Sequence, residues 1–400
     1  MSDPGADLAH FGGRPAFAEP VHVGRPNIGD RRALQARLDD ILDRRWLTNA
    51  GRYVREFEDR LARLLGVSHC IATCNGTVAL ELVTRALGLE GEVILPSFTF
   101  VATAHALQWQ QITPVFCDVD PTTHNLDPKR VEEMITPRTT GIIGVHVWGR
   151  PCDTDALSEI AHRRGLRLLF DAAHALGCSS GGTPVGGFGE AEVFSFHATK
   201  IVNAFEGGAV ATNDEELAGE LRLMKNFGFS GYDDVTYIGT NGKMNEASAA
   251  MGVTSLESFE HFRAVNLGHY EHYRDRLGGI DGVDVVEHPT GGADQANYHY
   301  VVLELDESRL GISRDMVMEL LRAENILARR YFYPGCHRME PYRSLFPHAG
   351  LLVPETEQLV RRVLCLPTGE SLSETDIDRI CDRVSTIAAN GSAIAARLAS

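Results

Sequence analysis

Between Cys70 and about Val210, strand-length apolar runs alternate with helical patterns, and this alternation restricts the possible folds more than any other feature of the chain. The runs are "HCIATC", "GEVILPS", "TPVFCDVD", "TTGIIGVHVWG", "LRLLFDAAHALG", "AEVFSF" and "GGAVATND"; "TVALELVTRAL", "DALSEIAHRRG" and "DEELAGELRLMKNFG" lie between them with helical spacing. Strands this apolar must be buried on both faces, which predicts an α/β domain with a mostly parallel sheet covered on both sides. In such a sheet the functional side chains collect at the carboxyl ends of the strands.

A long, polar helical pattern runs from about Asn245 to Leu277 and leads into a second zone. There "GVDVVEHP" and "YHYVVLELD" read as strands, and "RDMVMELLRAEN" and "ETDIDRICDRVSTIAA" as helices, which predicts a smaller C-terminal α+β domain. The expected division is an N-terminal arm over residues 1–30 that packs across a partner, a large domain over 31–260 and a small domain over 261–400.

The net charge of −16 argues against nucleic acid or an anionic membrane as the main partner, because both require a basic footprint. The first residues, "MSDPGADLAHFGGRPAF", lack a basic stretch followed by an apolar one, and no run of about 18 apolar residues occurs, so a cytoplasmic protein is expected. Eight cysteines are scattered without a CxxC pair or cysteine–histidine ligand spacing, so reduced thiols and no metal are expected. The chain has only four lysines, Lys129, Lys200, Lys225 and Lys243, against a majority of arginines.

Two positions carry the chemistry. Asp171 ends the apolar run Leu166–Phe170, where a carboxylate is costly unless it is paired or hydrogen-bonded. Lys200 follows 29 residues later in "FHATK", after one more strand, so both side chains reach the same sheet edge. Singly they are explained by a turn cap and an ion pair, but an ion pair is served at least as well by arginine. Lysine alone offers an amine that condenses with a carbonyl once its surroundings depress a pKa of about 10.4. An aspartate that keeps a pyridine nitrogen protonated is the complement, and the pair matches the needs of pyridoxal phosphate.

A phosphate cup fits the same edge. In "CNGTVALELVTRALGL" a strand enters Asn75-Gly76-Thr77 and an amphipathic helix leaves, which suits an anion at the helix amides, although asparagine or threonine there also serves as a plain N-cap. Ser195 is placed to add a hydroxyl. Phe98 and Phe100 follow "EVIL", where an aromatic either stacks on a cofactor ring or packs into the core. No GxGxxG after a strand and no GxxxxGK[ST] occurs, and "CDVDPTTHNLD" lacks calcium-loop spacing.

Taken in order, "NGTVALELVTRALGL", "GEVILPSFTFVATAHAL", "TPVFCDVDPTTHNLDP", "DAAHALGC", "VFSFHATKIVNAFEGGAV" and "TNGKMNEASAAMG" resemble the pattern of the DegT/StrS sugar aminotransferases over roughly residues 20 to 385. The resemblance implies a fold type I enzyme with a seven-stranded, mostly parallel sheet. Within the family, "WGRPC", "FHATK", "NAFEGG" and "YFYPGCH" look most like the desosamine-pathway enzymes that aminate C4 of dTDP-4-keto-6-deoxyglucose.

By resemblance, Lys200 forms the Schiff base and shuttles a proton, Asp171 pairs with the pyridine nitrogen, His174 reaches the phenolic oxygen and Phe100 stacks on the ring. Asn75, Gly76, Thr77 and Ser195 hold the phosphate, helped by Asn241 from the neighbouring subunit of a homodimer with shared sites. L-Glutamate is the implied amino donor and a dTDP-linked keto sugar the acceptor. His197, Arg330, His337, Lys243 and also Arg329 are the candidate sugar contacts, with His197 favouring C4 over C3. C3 amination of an isomeric sugar, or a non-catalytic regulator that binds pyridoxal phosphate, are the competing expectations.

Overall fold

The computed structural model describes residues 7–289 and 292–398; residues 1–6 of the expected arm and 399–400 of the small domain lie outside these ranges. Seven strands form one sheet in the order His69–Thr73, Gly208–Thr212, Ala191–Ser195, Arg167–Asp171, Thr139–Val145, Glu92–Pro96 and Thr113–Cys117. Gly208–Thr212 runs antiparallel to both of its neighbours, and the remaining pairings are parallel. This is the mostly parallel α/β sheet expected from the alternating runs. Its interior strands are buried almost throughout, as the apolar sequences require.

The register brings the chemistry to one edge. Asp171 is opposite Val193, Ser195 is opposite Gly208, and Gly208 is opposite Thr73. The antiparallel strand begins where its parallel neighbours end, so its first glycine joins their carboxyl termini. The helix Gly76–Ala86 starts at the same edge, because Asn75 is its N-cap and its side-chain oxygen accepts the Val78 N–H at 2.8 Å. Ala79, Leu80, Leu82 and Val83 of that helix are buried.

Toward the C-terminus a three-stranded antiparallel sheet, Val283–Val285, Val301–Leu305 and Val363–Leu366, packs with the helices Phe259–Leu277, Arg314–Ala323 and Glu374–Ala389. This is the smaller α+β region; the strand Val363–Leu366 was not among the expected elements. Leu8, Phe17 and Val21 belong to its apolar cluster. The buried carboxylate of Glu324 accepts the N–H groups of Ala9 at 2.7 Å and Ala16 at 2.8 Å, and Val21–His22 pairs in parallel with Ile326–Leu327. Residues 8–22 therefore pack on their own chain.

The pattern from Asn245 to Leu277 is two helices, Glu246–Glu257 and Phe259–Leu277, separated at Ser258, whose φ and ψ of −99° and 3° leave the helical range. The first of them is buried along most of its length despite its polar appearance. Its alanines, serines and glycine are small enough for close helix packing; a Cβ built on Gly252 would lie 2.7 Å from the ring of Phe57.

Glu246 is itself buried and accepts the N–H groups of Tyr53 and Val54, each at 2.9 Å, capping the helix Arg52–Leu65 from a distance. Glu246→Ala leaves both donors without their charged acceptor and is expected to lower stability by about 2–4 kcal/mol. Glu246→Gln, which keeps one acceptor oxygen, is expected to lose less. Urea unfolding of the cofactor-free chain measures both.

Candidate active site

The sheet edge opens into a cavity of about 530 Å³, a size suited to a cofactor with part of a substrate. Asn75, Gly76, Thr77, Asp171, Ser195 and Lys200 from the sheet edge line it, together with Tyr300, Arg329, Tyr331 and Phe332 from the C-terminal part. Phe100 and His197 also border it. The strand ends thus meet residues that lie far away in sequence.

Asp171 is buried, and burial pushes its carboxyl upward in pKa. Three features act against that rise: the Ala173 N–H donates to Oδ1 at 3.1 Å, the Thr103 hydroxyl donates to Oδ2 at 2.8 Å, and Lys200 lies nearby. Lys200 responds in the opposite sense. Desolvation pushes its amine down to about 8, although the Asp171 carboxylate favours the charged form. An amine near 8 has a useful neutral fraction at physiological pH, whereas an ordinary lysine has almost none.

His174 is held in one tautomer. Trp148, at a left-handed φ of 55°, donates its backbone N–H to His174 Nδ1 at 3.2 Å. Burial and the neighbouring Lys200 lower the imidazole well below its ordinary pKa, so the ring is neutral and its proton sits on Nε2. The ring stacks nearly parallel on Phe332, with centroids 5.5 Å apart.

The cup is shaped by glycines. A Cβ on Gly208 would lie 2.4 Å from the carbonyl carbon of Asn75, and one on Gly76 would lie 3.2 Å from Cβ of Ser195. Only glycine lets the antiparallel strand approach the helix start this closely. Helix amides and the hydroxyls of Thr77 and Ser195 as donors, with a buried aspartate as acceptor and a desolvated lysine around the same cavity, form a set of groups that fits pyridoxal phosphate.

Of the residues expected from the sequence, Lys200, Asp171, His174, Asn75, Gly76, Thr77, Phe100, Ser195, His197 and Arg329 come together around this cavity. Phe98 is instead buried in the core, edge-on to Trp148 and Phe332. Four further expected residues lie outside the lining. His337 is buried between Ser97 Oγ at 2.6 Å and Glu357 at 2.7 Å, where the fold engages both ring nitrogens. Arg330 pairs with Asp315 at 2.9 Å and stacks over Tyr333. Asn241 forms a bridge with Asn226, and the Lys243 amine donates to Asn226 at 2.8 Å over the ring of Phe227.

Sequence reasoning did not single out Thr103, Trp148, Tyr300, Tyr331 or Phe332 for roles in the site. Trp148 and Tyr331 lie inside the quoted "WGRPC" and "YFYPGCH" neighbourhoods, which offered a signal; the hydroxyl of Thr103 on a helix face offered none.

The chain matches the DegT/DnrJ/EryC1/StrS aminotransferase family over residues 29–385. It is 38% identical over 369 residues to dTDP-4-amino-4,6-dideoxy-D-glucose transaminase of Shigella dysenteriae, covering 92% of this chain and 98% of that one. It is 35% identical over 354 residues to GDP-perosamine synthase of Caulobacter vibrioides, covering 85% and 91%. The crystal structure of DesI with its TDP-sugar product superposes with a TM-score of 0.95 at 52% identity, covering 99% of this chain and 100% of that one.

The cup lends itself to a direct test. Gly208→Ala is expected to raise the dissociation constant for pyridoxal phosphate at least about tenfold, equivalent to about 1.4 kcal/mol. Gly219→Ala, where a Cβ meets nothing within 4 Å, is expected to leave it unchanged. Absorbance titration of the purified proteins with the cofactor reads the difference.

Proposed function

The chain belongs to the DegT/DnrJ/EryC1/StrS aminotransferase family, and from that premise we propose that it moves the amino group of L-glutamate to C4 of a dTDP-linked 4-keto-6-deoxyglucose. The observation that carries the reading is the meeting of Lys200, Asp171 and the Asn75–Thr77 cup in one cavity. The choice of sugar is supported by the two relatives named for 4-amino-4,6-dideoxyglucose nucleotides in Shigella dysenteriae and Escherichia coli, and by the likeness to DesI.

Pyridoxal phosphate, when bound, supplies an electron sink beside the carbon that loses or gains nitrogen. The amine of Lys200 takes a proton from one carbon and returns it to another, which an amine near pKa 8 does in both directions. Asp171 would hold a proton on the ring nitrogen of the bound cofactor. His174 donates from Nε2, because Nδ1 already accepts the Trp148 N–H. Thr77, Ser195 and the first amides of the helix Gly76–Ala86 take the phosphate.

Arg329, which also lines the cavity, lies over the ring of Tyr331 at 5.3 Å and supplies a cation for the sugar's diphosphate in an otherwise acidic protein. His197 hydrogen-bonds Thr199 at 2.8 Å and approaches Glu206 at 3.6 Å, a polar pair placed to meet sugar hydroxyls. Asn241 and Lys243 are assigned to the site of a second subunit. Their segment exposes Phe227, Phe229, Tyr232, Val235 and Ile238, an apolar surface suited to a homodimer.

Incubating the enzyme with L-glutamate and dTDP-4-keto-6-deoxyglucose is expected to yield the 4-amino sugar, identified by NMR. Nitrogen on C3, or acceptance of only the GDP-linked sugar, would sink this assignment. Lys200→Ala is expected to abolish both turnover and the visible band that forms with cofactor. Asp171→Asn is expected to retain bound cofactor and lose at least about a hundredfold in turnover.

A further inference from the structure

Behind Lys200 lies a second, much smaller cavity of about 10 Å³, bordered by Ala173, His174, Leu176, Ser195, Lys200 and His299 among others. It is at the lower limit for one water molecule. His299 comes from the segment just before the strand Val301–Leu305, about a hundred residues beyond Lys200. Its ring is buried, and Nε2 lies 2.8 Å from the carbonyl oxygen of Thr199, the residue preceding the lysine. A carbonyl only accepts, so Nε2 carries the proton and donates it.

This tautomer leaves Nδ1 as a lone-pair acceptor. Nδ1 is fully buried and has no protein partner, a state that costs free energy unless a donor reaches it. Much of the cavity wall is apolar. The side chains able to donate among the residues bordering the cavity are Lys200, Ser195 and His174, and all three border the larger cavity as well. The backbone of His299 is fixed by its N–H to Asn297 Oδ1 at 3.1 Å, while the Asn297 amide donates to the carbonyls of His174 and Leu176. The ring is therefore held in register with the turn after Asp171 as well as with the lysine turn.

We propose that His299 is a positioning residue for Lys200: Nε2 anchors the lysine-bearing turn through Thr199, and Nδ1 accepts a hydrogen bond relayed from the Lys200 amine through one water in the small cavity. The imidazole then holds the amine in place whenever it is not covalently engaged. The inference rests on the proposed function only for the amine's reactive role; the contact itself does not.

Burial and Lys200 keep His299 neutral, lowering its pKa to about 4, so it remains an acceptor throughout the range in which the amine titrates. The other titratable or charged groups around Lys200 are Asp171 at the end of the strand Arg167–Asp171, His174 in the turn after it, and His197, Glu206, Tyr300, Arg329 and Tyr331 in the lining of the larger cavity. An acceptor favours the ammonium over the neutral amine, so its loss lowers the lysine pKa.

Full-length protein freed of cofactor is treated with cyanate across a pH series, and carbamylation of Lys200 is read by peptide mass spectrometry. The wild-type midpoint is expected near 8. His299→Phe, which loses both nitrogens, and His299→Gln, which keeps a donor for Thr199 without the acceptor, are expected to shift it down by about half a unit or more. His299→Asn places an acceptor where Nδ1 was and is expected to restore most of the shift.

Should the Phe variant fail to fold, the Gln and Asn variants make the same comparison. A midpoint that is unmoved in Gln, or lowered equally in Gln and Asn, overturns the proposal. Failure of wild type to form a visible band with pyridoxal phosphate would instead overturn the proposed function and leave the labelling result standing.

Discussion

Asp171 takes a carboxylate out of water at the end of a strand whose preceding residues are apolar, and a carboxylate persists there only with donors on its oxygens and a cation close by. The Thr103 hydroxyl, the Ala173 N–H and Lys200 meet that requirement from three places in the chain. The same burial that raises the pKa of the aspartate lowers that of the lysine. Each group alone would be destabilised; together they form an opposed pair whose protonation states a ring nitrogen and a carbonyl group can exploit.

Holding that pair in register falls to the sheet. Parallel strands bring Asp171 and Ser195 to one edge, and the single antiparallel strand adds Gly208 there because it starts where they stop. The absence of a Cβ at Gly208 then decides how near the helix start at Asn75–Gly76 can come. A cup of amides and the buried Asp171 and Lys200 thus line one cavity together with Tyr300, Arg329 and Tyr331 from the C-terminal part. The cavity exists only because the two parts of the chain pack together.

Much of this was legible in the sequence. The apolar runs marked all seven strands of the sheet, since strands covered on both faces have little room for polar residues. Lys200 stood out because arginine could have replaced it anywhere that deprotonation was not needed. Local periodicity was less informative where packing overrode it. The pattern from Asn245 to Leu277 looked like one polar helix, yet its first half is buried by small residues against Phe57, and Ser258 separates the halves. "VLCL" at 363–366 was too short an apolar run to identify as a strand without its partner at Val301–Leu305.

Among the sugar-contact candidates, Arg329 and its neighbour Arg330 are indistinguishable as residue types, but one faces the cavity and the other pairs with Asp315 over Tyr333. His337 has the chemistry of a ligand contact and is occupied by Ser97 and Glu357. By itself the sequence determined the α/β architecture and the cofactor chemistry, because those follow from apolar period and from what a lysine and an aspartate at strand ends can do. Only the tertiary structure decided which arginine, which aromatic and which histidines attend the site. That choice depends on side-chain direction and on contacts between residues a hundred or more positions apart, which no local pattern encodes.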